Sequence, residues 1–202
     1  MSILTFSDSF LKKFGDIVYP ELHVRYTKYS RWFKTKTSDK EYTNINKWLL
    51  EGTTEGKEVL LAILEQQDLI GSSHDDTMRN ILLWVNKNVK YVPDTTVHKL
   101  LDYWQTPLET LQLRTGDCED GATLILALAY TAKIPSDRYW LQWGEVIGGG
   151  HAYVCYLRES DVEEVVLDWC YWFTPLVIKL RGWLGDDERY GKIWGTASYT
   201  GE

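Results

Sequence analysis

Apolar positions recur at helical spacing in two early stretches. Residues 54–68 place Val59, Leu60, Ile63 and Leu64 on one face. Further on, Met78, Ile81, Leu82, Val85 and Val89 follow i, i+3, i+4, i+7 and i+11, with Asp75 or Asp76 as the expected cap. That pattern breaks at Tyr91-Val92-Pro93-Asp94. Thr106-Pro107-Leu108-Glu109 opens a short helix: Thr106 caps it, Pro107 takes the first helical position and Glu109 completes a capping box. The loop Arg114–Asp117 then leads into Ala122–Tyr130, where every residue but Thr123 is apolar or aromatic. Such a run predicts a helix buried all round, with Cys118 in its first turn and a stop at Lys133-Ile134-Pro135.

Beyond residue 137 the pattern changes period. Arg138–Val146, His151–Leu157 and Val162–Trp169 are rich in aromatic and β-branched residues and read as strands. Gly148-Gly149-Gly150 separates the first two, and Arg158-Glu159-Ser160-Asp161 the last two. The last two form an antiparallel hairpin. If Leu157 pairs with Val162, position numbers across the hairpin sum to 319, which sets His151 opposite Asp168 on one face. A slip of one residue would separate them. After Cys170 the chain is aromatic and irregular (Tyr171, Trp172, Phe173, Trp183, Tyr190, Trp194) and is expected to cover one side of the sheet. Helices followed by strands give an α+β architecture, with the Cys-bearing helix buried against an antiparallel sheet.

Composition narrows the function. The 202 residues, 44% hydrophobic, suffice for one domain and a small appendage. A net charge of −7 argues against nucleic acid as the partner. The charge is uneven: residues 11–40 hold eight Lys/Arg against three Asp/Glu, the rest 14 against 26. The expectation is a basic N-terminal extension, residues 1–50, docked on an acidic body of residues 51–202; the alternative is that 11–40 binds a protein partner. No apolar run spans a membrane. Met1–Phe6 lacks the charged and apolar regions of a secretory leader, so the expected location is cytoplasmic. Three cysteines there are expected to be reduced thiols, with no metal-ligand spacing.

Three residues offer joint chemistry. A thiol at a helix start lies in the field of unpaired N–H groups, which favour thiolate. Cys118 has that placement, though its flanking carboxylates oppose ionisation. It therefore needs a base, and the base needs an orienting group. His151 and Asp168 fill those roles if the hairpin register holds. Taken singly, each has a plain structural reading: a small buried hydrophobe, a satisfied strand histidine, a carboxylate on a backbone N–H. Oxyanion donors are the N–H of Cys118 and, among side chains, Gln112, Trp104 or Gln105. Cys155 and Cys170 read as structural thiols without a candidate base.

The span from Tyr103 to Trp169 resembles the transglutaminase-like superfamily, in particular the bacterial transglutaminase-like cysteine proteinases. The resemblance rests on Tyr103-Trp104-Gln105-Thr106-Pro107-Leu108-Glu109-Thr110-Leu111, then Gly116-Asp117-Cys118-Glu119-Asp120, then His151-Ala152-Tyr153-Val154, then Val166-Leu167-Asp168. It implies a papain-like fold with Cys118 as nucleophile, His151 as base and acid, and Asp168 as orienter. It also implies a peptidase that cuts peptide or isopeptide bonds through a thioester, with a protein or peptide as substrate. The alternatives are transfer to an amine, or a non-enzymatic scaffold for binding or assembly. Related compact domains occur in phages, which makes a virion the alternative location. The chain departs from the family pattern at Gly121, where an aromatic is frequent, and at Trp169, where Asn is frequent; Gly121 is expected to open space beside the thiol. The thiol chemistry requires no cofactor. Acidic residues of this motif are associated with calcium in the resembling proteinases, so Asp117, Glu119 and Asp120 are candidate Ca2+ ligands. Because neighbouring helical residues diverge, backbone carbonyls of 114–116 or a distant carboxylate must complete the shell.

Overall fold

The computed structural model describes residues 39–99, 102–171, 173 and 189–199. The basic stretch 11–40 lies outside them except for its last two positions, and Trp172 and Trp183 of the aromatic tail lie outside as well. Helix α1 (Asp39–Gln66) is longer than the apolar spacing of 54–68 indicates. Ile45, Trp48 and Leu49 carry its buried stripe back by two to three turns, and the helix runs unbroken across residue 50. Gly56 on the same helix leaves room for Leu108, whose side chain a Cβ there would meet at 3.0 Å.

Helix α2 (His74–Asn88) buries Met78, Ile81, Leu82 and Val85 as their spacing requires. Its cap differs from the expectation. Ser73 accepts the Asp76 N–H, which frees Asp75 for another task. Asp75 accepts Tyr156 Oη–H and the N–H groups of Glu159 and Ser160, and so pins the helix to a distant turn. Burial alone would raise the Asp75 pKa; these donors outweigh it and hold it below the usual carboxylate range. Strand β1 (Lys90–Tyr91), helix α3 (Asp94–Val97) and helix α4 (Pro107–Leu113) follow. Thr106 caps α4 by accepting the Glu109 N–H, and the Glu109 carboxylate accepts Tyr103 Oη–H. Arg114, in the left-handed region at φ 53°, turns the chain into β2 (Thr115–Gly116). β2 pairs in parallel with β1 and lays residues 92–94 beside 116–118.

Helix α5 (Cys118–Thr131) is the centre of the core. Ala122 to Ala129 are fully buried, as an all-round apolar helix must be. It packs on α1, α2 and α4 and on one face of a four-stranded antiparallel sheet in the order β5-β4-β3-β6. The strands are β3 (Tyr139–Val146), β4 (Gly149–Leu157), β5 (Glu164–Leu167) and β6 (Tyr190–Ala197). A two-residue turn joins β3 to β4, with Gly148 at φ 105°, a conformation open to glycine. The architecture is the α+β arrangement expected: a buried Cys-bearing helix on an antiparallel sheet.

Two expectations need correction. Leu157 pairs with Glu164, not Val162, so the position numbers across β4 and β5 sum to 321. The connection holds six residues because Val162, at φ 61°, closes a tight loop on Arg158. The slip is of two residues, so every side chain keeps its face. The aromatic tail also does more than cover the sheet: residues 190–197 extend it as β6. No helix among the described residues is long and apolar enough to cross a membrane.

Candidate active site

The two faces of β4 do different work. Ala152, Val154 and Tyr156 join the main core beneath α5, while Tyr153 and Cys155 form a small second cluster with Val166. His151 shares the face of Tyr153. β5 ends at Leu167, so the β4–β5 ladder stops at Val154 and the backbone of Ala152 extends past it. The Ala152 N–H there faces the Cys118 sulphur and favours its ionised form. The thiol thus meets β4 at the residue next to His151. Cys118 is the first residue of α5, half-buried, with its carbonyl held by Trp169 Nε1–H at 3.0 Å.

Beyond the end of β5, Asp168 turns to His151: Nε2 lies 2.8 Å from Oδ2, and both side chains are buried. The same oxygen accepts Tyr190 Oη–H at 2.7 Å. Oδ1 accepts the N–H of Cys170 at 3.1 Å and of Tyr171 at 3.0 Å. Burial would raise the Asp168 pKa, but the His151 bond and charge, Tyr190 and the backbone donors outweigh it and hold it below the usual range. An ionised carboxylate only accepts, so His151 Nε2 carries the proton and Nδ1 is left as the basic nitrogen. Tyr153 and Tyr171 flank the imidazole with ring centroids 5.9 and 5.1 Å away.

Around the helix start the carboxylates crowd. Asp117 N–H donates to Asp120 Oδ2 at 3.0 Å, and Gln105 N–H to Asp120 Oδ1 at 2.7 Å. The Asp94 N–H faces the Asp117 carboxylate and works against the rise that burial causes. Glu119 Oε2 sits 3.1 Å from the Cys118 sulphur. Oxygens of Asp94, Asp117 and Asp120 lie within 4.8 Å of one another, and so do those of Asp94, Asp102 and Glu119. Burial first, then mutual repulsion, pushes Asp94 up to about 8 and drives Glu119 and Asp120 well above the carboxylate range. Asp117 is raised by its burial too. Burial and the Glu119 and Asp117 charges also raise the Cys118 thiol. Asp94 Oδ1 and Asp117 Oδ1 are buried without a partner.

The oxyanion candidates part company. Trp104 is buried edge-on to Trp48 and Trp143. Gln112 is half-buried on α4. Gln105 is fully buried beside the helix start, and both polar atoms of its amide lack a partner. Gly121 opens no space beside the thiol: a Cβ there would lie 2.1 Å from the Trp169 indole. The two departures from the family pattern therefore fill one another, the aromatic ring arriving from position 169. Cys155 is buried and structural. Cys170 does have a base near it, since its sulphur lies within 4.8 Å of His151 nitrogen and Asp168 oxygen. Asp94, Asp102 and Tyr190 were not singled out from the sequence. Asp94 and Asp102 arrive from upstream of the motif, and Tyr190 from the far edge of the sheet.

Three solved structures of LapG from Legionella pneumophila align with the chain: one calcium-bound, one EGTA-treated, one without a stated treatment. Each is 17% identical with a TM-score of 0.45; the alignments cover 71% of this chain and 70 to 72% of LapG. No curated protein matches. The family described as "Transglutaminase-like domain" matches residues 61–170, which hold α5, His151 and Asp168, and with more than half of its length matched the chain belongs to that family.

Proposed function

We propose that the protein is a cysteine peptidase whose nucleophile is Cys118, with His151 as base and acid and Asp168 as orienter. The observation that carries this reading is a buried imidazole fixed on an ionised carboxylate at 2.8 Å, one residue from the Ala152 N–H that faces the Cys118 sulphur. In the proposed reaction His151 Nδ1 takes the thiol proton as sulphur attacks the scissile carbonyl carbon. The Cys118 N–H, at the helix terminus, faces the developing oxyanion. Collapse expels the amine, which takes the proton from His151, and leaves a thioester. Water, deprotonated by His151, then releases the acid and the free thiol. The substrate class is a peptide or isopeptide bond in a protein.

The carboxylates at the helix start fit a calcium ion. Two orphaned buried oxygens, on Asp94 and Asp117, and the raised pKa of Asp94 and Glu119 mark a group of buried acids that repel one another. Asp94, Asp102, Asp117 and Glu119 would hold it, all through oxygen, as calcium prefers. Asp120 stands within reach, but both its oxygens already accept backbone N–H groups. Bound calcium would neutralise Glu119 and Asp117 and so remove the charges that oppose a Cys118 thiolate.

The test is a peptidyl vinyl sulfone probe on the full chain with calcium present, followed by peptide mapping. An adduct on Cys118, absent in His151→Ala, is expected. Reaction no faster than free cysteine, or an adduct on Cys170, would overturn the assignment.

A further inference from the structure

We infer that Tyr190 is a positioning residue of this site: its hydroxyl locks the Asp168 carboxylate in the rotation that presents Oδ2 to His151. The inference rests on the Cys118–His151–Asp168 reading. A carboxylate has about four acceptor positions. Asp168 fills them with His151 Nε2, Tyr190 Oη and the backbone N–H groups of Cys170 and Tyr171. The two backbone donors hold Oδ1 from a chain turn just past β5. Oδ2 is tied to His151 on β4 and, through Tyr190, to the edge strand β6.

The route by which Tyr190 gets there is built into the sheet. β6 pairs with β3 through two register shifts, one between Trp143 and Gly144 and one between Gly144 and Val146. Each inserts an extra residue on β6, and bulges re-aim side chains beside sites. Without them Tyr190 would stand opposite Gly148 in the hairpin turn; with them it stands opposite Val146. The β3 residue facing His151 on the way is Gly144, which has no side chain to block the reach. A Cβ at Gly144 would also meet the Lys192 carbonyl at 2.5 Å, so the bulged backbone needs that glycine. The Tyr190 ring rests on Tyr153 with centroids 4.7 Å apart, and Tyr153 in turn stacks on His151.

Tyr190→Phe removes the hydroxyl and keeps the ring. The experiment uses the full chain labelled with 15N-histidine, with calcium present throughout, and compares the parent with Tyr190→Phe and Asp168→Asn. Two readouts are taken: the rate of Cys118 alkylation by iodoacetamide, and the downfield Nε2–H resonance of His151. For Tyr190→Phe the alkylation rate should drop about ten-fold, the scale of one hydrogen bond to a charged group. The resonance should shift upfield and broaden as Asp168 gains rotational freedom. A merely structural role for Tyr190 would lower the melting point without moving that resonance in the folded population. The resonance is therefore read well below melting, whatever the variant's stability. Should Asp168→Asn abolish both signals while Tyr190→Phe matches the parent, the Tyr190 inference is overturned and the triad stands. Should Asp168→Asn leave alkylation unchanged, the triad reading itself fails and the Tyr190 inference with it.

Discussion

Two groups of buried acids flank one thiol, and they are in opposite conditions. Asp168 accepts four hydrogen bonds and is held ionised. Asp94, Asp117, Glu119 and Asp120 crowd one another, leave two buried oxygens unpartnered and are all pushed toward the protonated form. The first carboxylate is completed by the protein. The second group is not, because two of its buried oxygens, Asp94 Oδ1 and Asp117 Oδ1, meet no hydrogen-bond donor. The difference teaches what each is for. A completed carboxylate is suited to orient a base, whereas the crowded group is the one that the proposed calcium ion would complete. The most direct way to break the contrast is to alter the completed side. Asp168→Asn should keep the fold and lower turnover by about 10⁴, by analogy with serine triads, because an amide favours the wrong imidazole tautomer. Near-parent turnover on a cleavable peptide would remove Asp168 from the mechanism.

The incomplete side should respond to metal and to pH with a sign of its own. Calcium at a hundred times its Kd adds about 2.7 kcal/mol, or roughly 5–10 °C in melting point for a chain of this size. In chelator the pH dependence runs the other way. An acid whose folded pKa is raised contributes stability below its unfolded value near 4, and that contribution is lost as pH rises through the folded value, about 8 for Asp94. The chelated protein should therefore melt lower at pH 8 than at pH 5. With calcium the order should reverse, since ionised carboxylates bind the ion. Asp168, depressed in the folded state, contributes the opposite sign and only at acid pH: its stabilisation is present above about 4 and lost as pH falls further. Thermal melts at both pH values, with chelator and with calcium, check this. Identical melting curves under all four conditions would leave the cluster as helix capping.

Much of this arrangement was legible in the residues, and the limits have physical causes. The all-apolar run of α5, the capping signals of α4 and the hairpin could be read because each is local. The His151–Asp168 contact survived a wrong register because a two-residue shift preserves the face; the extra residues sit in a loop closed by left-handed Val162, which no glycine marked. Asp94 was beyond reach because a two-residue parallel bridge, Lys90 to Thr115 and Tyr91 to Gly116, is what lays it against Asp117. Tyr190 was hidden for a similar reason, since two bulges on an edge strand set its place.

A smaller effect tests the floor on which both acid groups rest. Gly121 lies on α5 one turn from Cys118, and the Trp169 indole occupies the place of a Cβ at 2.1 Å. Trp169 separates Asp168 from Cys170 and also holds the Cys118 carbonyl. Gly121→Ala should cost about 1–3 kcal/mol through overpacking. The cost should shrink in a Trp169→Leu background, because the two residues share one volume. Additive losses in the double variant, measured by urea unfolding, would show that the ring moves freely away.

The smallest change should come from Cys170→Ala, and its smallness separates two thiols. Cys170 lies within 4.8 Å of the His151 nitrogen and Asp168 oxygen, so proximity to the base does not by itself choose the nucleophile. Placement does. Cys118 starts a 14-residue helix and is faced by the Ala152 N–H, both of which favour negative sulphur. Cys170 lies in no helix, and burial together with the Asp168 charge raises its pKa. Calcium would relieve Cys118 of the Glu119 and Asp117 charges, whereas Asp168 stays ionised beside Cys170. The Cys170 link to Asp168 runs through its backbone N–H, which alanine retains. Cys170→Ala should therefore leave Cys118 alkylation and turnover within about two-fold of the parent, as expected for a substitution that removes no charged hydrogen bond. A loss as large as that of Cys118→Ala, with the melting point unchanged, would reverse the roles of the two thiols.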